Sequence, residues 1–428
     1  MESIISEYRE EERENPIKIE KSDLVVIVGV DEYSSFEVRK GLNRIIELLN
    51  PSFLTEDINK KIVLLKPSLL APTKNTFTNK IVVEEVATFF KERGCKQIYI
   101  GDSTMTKSIT TMAHKRSGMS EIAEKFGNPI INFFEEELIS VSHSSFRADD
   151  LIRLPKAVVD ADIIVNLPKM KTHNGYIFTG AIKNFFGLLV DKIIKHRRFK
   201  DKIKFQQMLG DIHQAVLATG KEGKSKIVLH IMDGIVGMEG KGPRSGKLRS
   251  FNCLIGSFSP VAVDTLAYTL MGGNPMHLET IRSLAERNSW PGSMKDLNII
   301  GDDWQNFKQK VKLPSLKNLQ NKRTTGSFVE RIATYFIDRF HPIIKIDKKK
   351  CILCMACAKH CPVQAISKNQ KKNKMILDQK ICISCFCCGE SCENDAIKSQ
   401  IPIKKSVIYL VFILILIIGG WILVLFLT

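Results

Sequence analysis

The stretch ADIIVNLPKMKTHNGYIFTGAIKNFFGLL, residues 161–189, opens on a compact apolar run and breaks at once into lysines. A short continuous apolar run of this kind reads as a strand covered on both faces. Five more runs share the pattern: LVVIVGV at 24–30, KIVLLKP at 61–67, KQIYIGDS at 96–103, KIVLHIMDG at 226–234 and LNIIGDD at 297–303. Helical patterns lie between them. NKIVVEEVATFFKERG, 79–94, closes on Gly94, and SPVAVDTLAYTLMGG, 259–273, starts on a capping Ser259 and Pro260. Buried strands alternating with helices predict an α/β domain with a mainly parallel sheet over residues 21–303, behind an acidic tail at 1–20.

Parallel sheets gather their sites at the carboxyl ends of the strands. There this sequence places Lys66, Asp102, Ser103, Lys169 and Asp233. The opening stretch is the densest patch: Lys169, Lys171, Thr172, His173, Lys183 and Asn184 surround a glycine-interrupted loop that leads into an apolar helix. A helix N-terminus with lysines beside it suits a phosphate or carboxylate. His173, Lys169 and Asp233 are the candidate catalytic groups, His173 as a proton donor, against the plainer reading of a structural histidine. MDGIVGMEGKGPRSG, 232–246, adds Glu239 and the N–H groups freed by Gly240, Gly242 and Gly246, a loop able to close over a ligand. Neither a GxxxxGK[ST] nor a GxGxxG pattern is present, so ATP and NAD are not indicated.

A second chemistry sits near the other end. In CILCMACAKHCPVQAI, 351–366, the cysteines are spaced three, three and four and followed by proline. A shift of 31 residues lays Cys351, Cys354, Cys357 and Cys361 onto Cys382, Cys385, Cys388 and Cys392. Asp347 then falls on Asp378 and Ile366 on Ile397, so the unit is duplicated. This run is an iron–sulfur pattern in which the fourth cysteine serves the other cluster. Two crossed sites follow: Cys351, Cys354, Cys357 with Cys392, and Cys382, Cys385, Cys388 with Cys361. Zinc also takes C-x2-C pairs, but seldom three thiolates at this pitch plus a crossed fourth. Nine of the eleven cysteines lie here, which leaves only Cys95 and Cys253 elsewhere and implies no disulfide scaffold.

Residues 343–398 resemble a bacterial two-cluster ferredoxin domain, a small α+β module. The resemblance implies two 4Fe-4S clusters and one-electron transfer at low potential. Glu393 replaces the proline of the second motif, and Cys387 adds a ninth thiol, read as a small buried side chain. The large domain carries a resemblance of its own. LLKPSLL, NLPKMKTH, TGAIKNFFGLL, MDGIVGMEGKGP and VAVDTLA, in that order, resemble the domain-of-unknown-function family 362, with Ser68 where asparagine is expected. That family often carries ferredoxin motifs, and the resemblance supplies no substrate.

The run at 407–427 holds no charge and is long enough to cross a bilayer of roughly 30 Å. It predicts one C-terminal transmembrane anchor in the lipid bilayer, with Lys404 and Lys405 placing the main domains on the cytoplasmic side. Residues 304–342 read as a linker that turns amphipathic at 327–340. The formal charge of +17 is patchy, including the run KIIKHRRFKDKIK at 192–204, and is read as solvated surface. No recognition motif accompanies it, and nucleic acid is not an expected partner. The expectation is a membrane-anchored oxidoreductase that passes electrons from a redox protein through two 4Fe-4S clusters to a small anionic substrate. The alternative is a non-enzymatic electron-transfer or assembly protein whose α/β domain binds a partner.

Overall fold

The structure, a computed structural model, describes residues 22–51, 54, 58–71, 76–221, 224–319, 343–370, 373–379, 381–382 and 387–400. The expected span at 407–427, the amphipathic segment at 327–340 and Cys385 lie outside these residues. Among the described residues no helix is long and apolar enough to cross a membrane.

In chain order the strands of the large domain are β1 Leu24–Gly29, β2 Ile62–Pro67, β3 Gln97–Asp102, β4 Ile131–Asn132, β5 Leu138–Val141, β6 Ile152–Pro155, β7 Ile163–Leu167, β8 Lys169–His173, β9 Ile177–Thr179, β10 Ile227–Glu239, β11 Lys247–Ser257 and β12 Asn298–Gly301. The main sheet runs β12-β1-β11-β10-β7-β2-β3-β4, with β8 and β9 attached beside β10. All six apolar runs became strands. Their side chains alternate between two cores: Ile163, Val165 and Leu167 of β7 enter one, and Ile164 enters the other. That is why these runs lack polar positions. The helix Lys80–Glu92 starts on Asn79, whose side chain accepts from Ile81 N, and Gly94 beyond it has φ 74°. Ser259 caps the helix Pro260–Leu270 by accepting from Ala262 N at 3.2 Å.

Two expectations change here. The sheet is mainly parallel, but β11 runs antiparallel between β1 and β10. It is the return arm of a hairpin whose tip is 240–246, and a two-strand hairpin must reverse direction. The loop expected to close over a ligand is therefore that hairpin tip. The segment after Lys169 is a strand pair rather than a loop, and the apolar helix it enters is short. Lys171↔Thr179 to His173↔Ile177 form an antiparallel pair, and a helical turn, Ala181–Asn184, follows and continues as a 3-10 turn, Phe185–Leu188.

The cysteine-rich region is assembled across its duplication. β13 Ile343–Ile346 pairs with β16 Ile397–Gln400, and β14 Ile366–Asn369 pairs with β15 Lys374–Leu377, both antiparallel. The first strand of each unit thus pairs with the last strand of the other. Asp347 N donates to Ala396 O and Asp378 N to Ala365 O, each at 2.7 Å, and these bonds are 31-residue equivalents. One-turn helices at Ala356–Lys359 and Cys387–Glu390 repeat the same offset.

Candidate functional site

The strand-end charges meet, but as closed pairs. Lys66 of β2 is fully buried and lies 2.7 Å from Asp102 of β3. Burial pushes the Lys66 ammonium below its usual range, and Asp102 opposes that shift. Asp102 also accepts from Leu69 N at 2.7 Å and so fixes the chain leaving β2. A Cβ at Gly187 would stand 2.1 Å from Asp102 Oδ1 and 2.6 Å from Lys66 Nζ, which explains the glycine in NFFGLL. Lys169 of β8 lies 2.8 Å from Asp233 of β10, whose other oxygen accepts from Tyr33 at 2.7 Å. Asp233 further accepts from Asn79 N at 2.9 Å, at the start of the helix Lys80–Glu92. Buried pairs of this kind neutralise themselves and set geometry rather than present charge to a ligand.

The cations that line a cavity are Lys171, two residues further along β8, Lys183 of the turn Ala181–Asn184 and Lys192 of the helix Lys192–Arg198. A cavity of about 60 Å³ is lined by Lys171, His173, Lys183, Asn184, Lys192 and His196, among others, with Asp102 and Ser103 at its floor. Lys171 donates to Ser68 Oγ at 3.0 Å and to Thr76 O at 2.7 Å, so the serine that departs from the family pattern positions this ammonium. Lys192 donates to Ser103 O and Thr104 O, both at 2.8 Å. Lys183 lies 5.6 Å and 5.7 Å over the rings of Tyr176 and Phe186, a cation–π cage.

His173 Nδ1 accepts from Gly175 N at 3.0 Å and from Tyr176 N at 3.2 Å, which leaves the ring proton on Nε2. Burial, then Lys183, His196 and Lys171, hold this imidazole well below its ordinary pKa. His173 is therefore neutral at pH 7 and offers a hydrogen bond. A neutral histidine held in this way can polarise a ligand oxygen through its N–H. His196 is likewise held down, to about 3, by burial and then by Lys183 and Lys192.

Several expected ligand residues lie elsewhere. Lys66, Lys169 and Asp233 stand behind the cavity in the pairs just described. Thr172 points the other way along the strand and donates to Met238 O at 3.3 Å. Glu239 pairs with Arg249 and accepts from Lys312 N at 2.8 Å, while Gly240 N donates to Lys312 O at 2.7 Å. These two clasp the segment after the domain. Gly242 packs on Thr172, where a Cβ would stand 2.1 Å from its carbonyl oxygen. The helix N-terminus expected to bind an anion is already filled: the Asp264 carboxylate accepts from Ala181 N at 2.5 Å and Ile182 N at 3.1 Å.

Conversely, the run at 192–204 has the composition of solvated surface, yet Lys192, Lys195 and His196 are buried. Spacings of three and four put these on one face of the helix Lys192–Arg198, where Lys195 meets Asp149. That spacing was the available signal for the missed cavity residues Lys192 and His196.

Among the cysteines, the neighbours that act on Cys357 are Cys392, Cys351 and Cys354; together with burial, the largest cause, they push its thiol up to about 11. These are the four of the first crossed set. Cys361 and Cys392, the crossing members, each accept a backbone N–H from the residue four further on, Ala365 at 3.1 Å and Ala396 at 3.3 Å. Sulfur acceptors of this kind suit thiolates that hold a cluster. Of the second set, Cys361, Cys382 and Cys388 are described, and Cys387 is fully buried. Among the described residues no three His, Cys, Asp or Glu side chains converge on a point within reach of a single metal ion. Cubane ligands bind separate irons and need no such point.

Residues 63–269 match the model of a domain of unknown function (DUF362), from β2 through most of the helix Pro260–Leu270, and residues 344–367 match that of a 4Fe-4S binding domain. The chain carries a DUF362 domain and a 4Fe-4S binding domain. The thylakoid-associated protein sll1697 of Synechocystis is 30% identical over 225 residues, 51% of this chain and 65% of that protein. The chain thus spans less than two thirds of that relative's length. Among solved structures, a protein from Thermotoga maritima is 12% identical at a TM-score of 0.30, covering 52% of this chain and 56% of that one. The lactate racemase apoprotein from Thermoanaerobacterium thermosaccharolyticum is 16% identical at a TM-score of 0.33, covering 57% of each chain. Scores at that level carry no argument about this protein.

Proposed function

We propose that this chain is an iron–sulfur reductase: it takes electrons from a redox protein through two 4Fe-4S clusters and passes them to a small anionic substrate bound in the cavity. The observation that carries this reading is the cavity itself. Lys171, Lys183 and Lys192 surround it while the nearby carboxylate, Asp102, is spent on Lys66. The walls therefore favour an anion. A bound 4Fe-4S cluster supplies one electron at a time. The Nε2–H of His173 is available to hold a substrate oxygen, and because this ring is neutral, any proton that a reduced product needs comes from a lysine, with Lys183 the least buried of the three. The number of clusters is supported by the 31-residue symmetry of both strand pairs and of both N–H···S bonds.

A membrane location is supported by the apolar run at 407–427 and by the name of the Synechocystis relative, which is a statement about that protein. The test is an anaerobic reconstitution of the full chain followed by iron analysis and calorimetric titration with inorganic phosphate as the probe anion. About eight irons per chain and saturable phosphate binding are expected. Four irons or none would remove the crossed two-cluster assignment. Full iron loading with no anion binding would favour the electron-transfer or assembly protein, whose α/β domain takes a partner in place of a substrate.

A further inference from the structure

Two arginines seat the cysteine-rich region on the α/β domain. Arg197 donates from Nε to Pro362 O, and Arg244, whose side chain is 8% exposed, donates to Gly389 O at 2.6 Å. Pro362 directly follows Cys361 and Gly389 directly follows Cys388. Both contacts thus fall beside members of the same crossed ligand set. Asp395 closes the seam, 3.3 Å from Ser245 Oγ and 3.6 Å from Arg244.

Neither arginine lines the anion cavity, but each sits on a segment that does. Arg197 lies on the helix Lys192–Arg198, which contributes Lys192 and His196 to the cavity; Arg244 follows Pro243, which lines both this cavity and the 180 Å³ space at the seam. The other ligand set reaches the surface at one edge, although its Cys357 and Cys392 are buried and Lys350, beside Cys351, lines the space at the seam. Cys354 is exposed, Ile352 is 68% exposed, and Glu393, the 31-residue equivalent of Pro362, is exposed as well.

We propose that the cluster shared by Cys361 and Cys388 is the one that exchanges electrons with the cavity, and that the cluster held by Cys351, Cys354 and Cys357 is the port for the external redox protein. Arg197 and Arg244 are positioning residues that impose this order. Each electron lost by the partner protein is gained by the anion in the cavity, and no bond forms between them. The proposal rests on the two-cluster reading above.

An EPR-monitored redox titration of the reconstituted full chain tests it without turnover. Cys388→Ser and Cys354→Ser first assign the two signals, since each alters one cluster. Arg244→Gln and Arg197→Gln each remove a positive charge beside the inner cluster, so the signal tied to Cys388 should move to lower potential while that tied to Cys354 stays put. Arg244→Lys, which keeps the charge, should leave the potential close to wild type. Added phosphate should move the Cys388 signal alone. A shift confined to the Cys354 signal, equal shifts in both, or no shift from either the variants or phosphate would overturn the order. Finding only one cluster in wild-type protein would instead sink the two-cluster reading on which the order depends.

Discussion

Lys183 lies half-buried over Tyr176 and Phe186, whereas Lys169 is closed in a pair with Asp233. Their residue type is the same and their surroundings decide the role. Losing a hydrogen bond from a charged donor costs about 1.5–3 kcal/mol, about tenfold or more in affinity. Lys183→Met should therefore weaken phosphate binding at least about tenfold in calorimetry at fixed ionic strength. Lys169→Met strands the buried Asp233 and should cost about 3–5 kcal/mol of unfolding free energy, with phosphate affinity of the folded fraction changed less than about twofold. Equal losses of affinity in both variants would mean that the anion feels only a diffuse positive field. The sequence put both lysines on one patch. It could not separate them, because the difference lies in Asp233 and Tyr33, which arrive from other strands and loops.

At the scale of elements, the one-turn helix Ala181–Asn184 is held by Asp264 from the helix Pro260–Leu270. A Cβ at Gly180 would stand 2.0 Å from Asp264 Oδ1, so the glycine of TGAIKN admits this carboxylate. Burial raises Asp264 from 3.8 to about 7, with the two backbone N–H groups opposing. The sign follows. A carboxyl whose folded pKa is raised lends stability that is full below its unfolded pKa and is lost as pH rises through about 7. Relative to Asp264→Asn, which does not titrate, wild-type protein should lose stability between pH 5 and 7, by about 1.4 kcal/mol per pH unit at the steepest. Urea unfolding across that range measures it, and a constant difference between the two proteins would refute the burial argument. The strands that the sequence revealed were those buried on both faces. β11 escaped because its first four residues are exposed and three of them polar, leaving too short an apolar signal, and because its direction follows from a hairpin tip rather than from its own residues.

For the whole molecule, the two strand pairs of the cysteine-rich region are built across the duplication, so neither unit completes a sheet alone. Among the described residues, Arg197 and Arg244 tie it to the α/β domain. The run at 407–427 is long enough, at about 1.5 Å per residue, to cross a hydrocarbon core of roughly 30 Å. Deleting residues 407–428 should move the protein from the membrane fraction to the supernatant with its iron content and phosphate affinity unchanged. Retention of the truncated protein in membranes after a high-salt wash would assign the attachment to another segment, with 327–340 the first to examine.

By itself the sequence determined the buried strands of a mainly parallel sheet, the duplicated cysteine unit and the residue types that gather at the strand ends. Each of these is written in local spacing: continuous apolar runs, a 31-residue repeat, and polar residues directly after the runs. The tertiary structure alone decided which cations close buried pairs and which line the cavity. Lys66 and Lys169 follow apolar runs, and each finds a carboxylate on an adjacent strand. Lys192 and His196 come from a run that looks like solvated surface and turn inward because their helix packs there. The physical reason is that strand and repeat signals arise from neighbours in sequence, whereas the charge state of a site depends on partners that only folding brings within hydrogen-bonding distance.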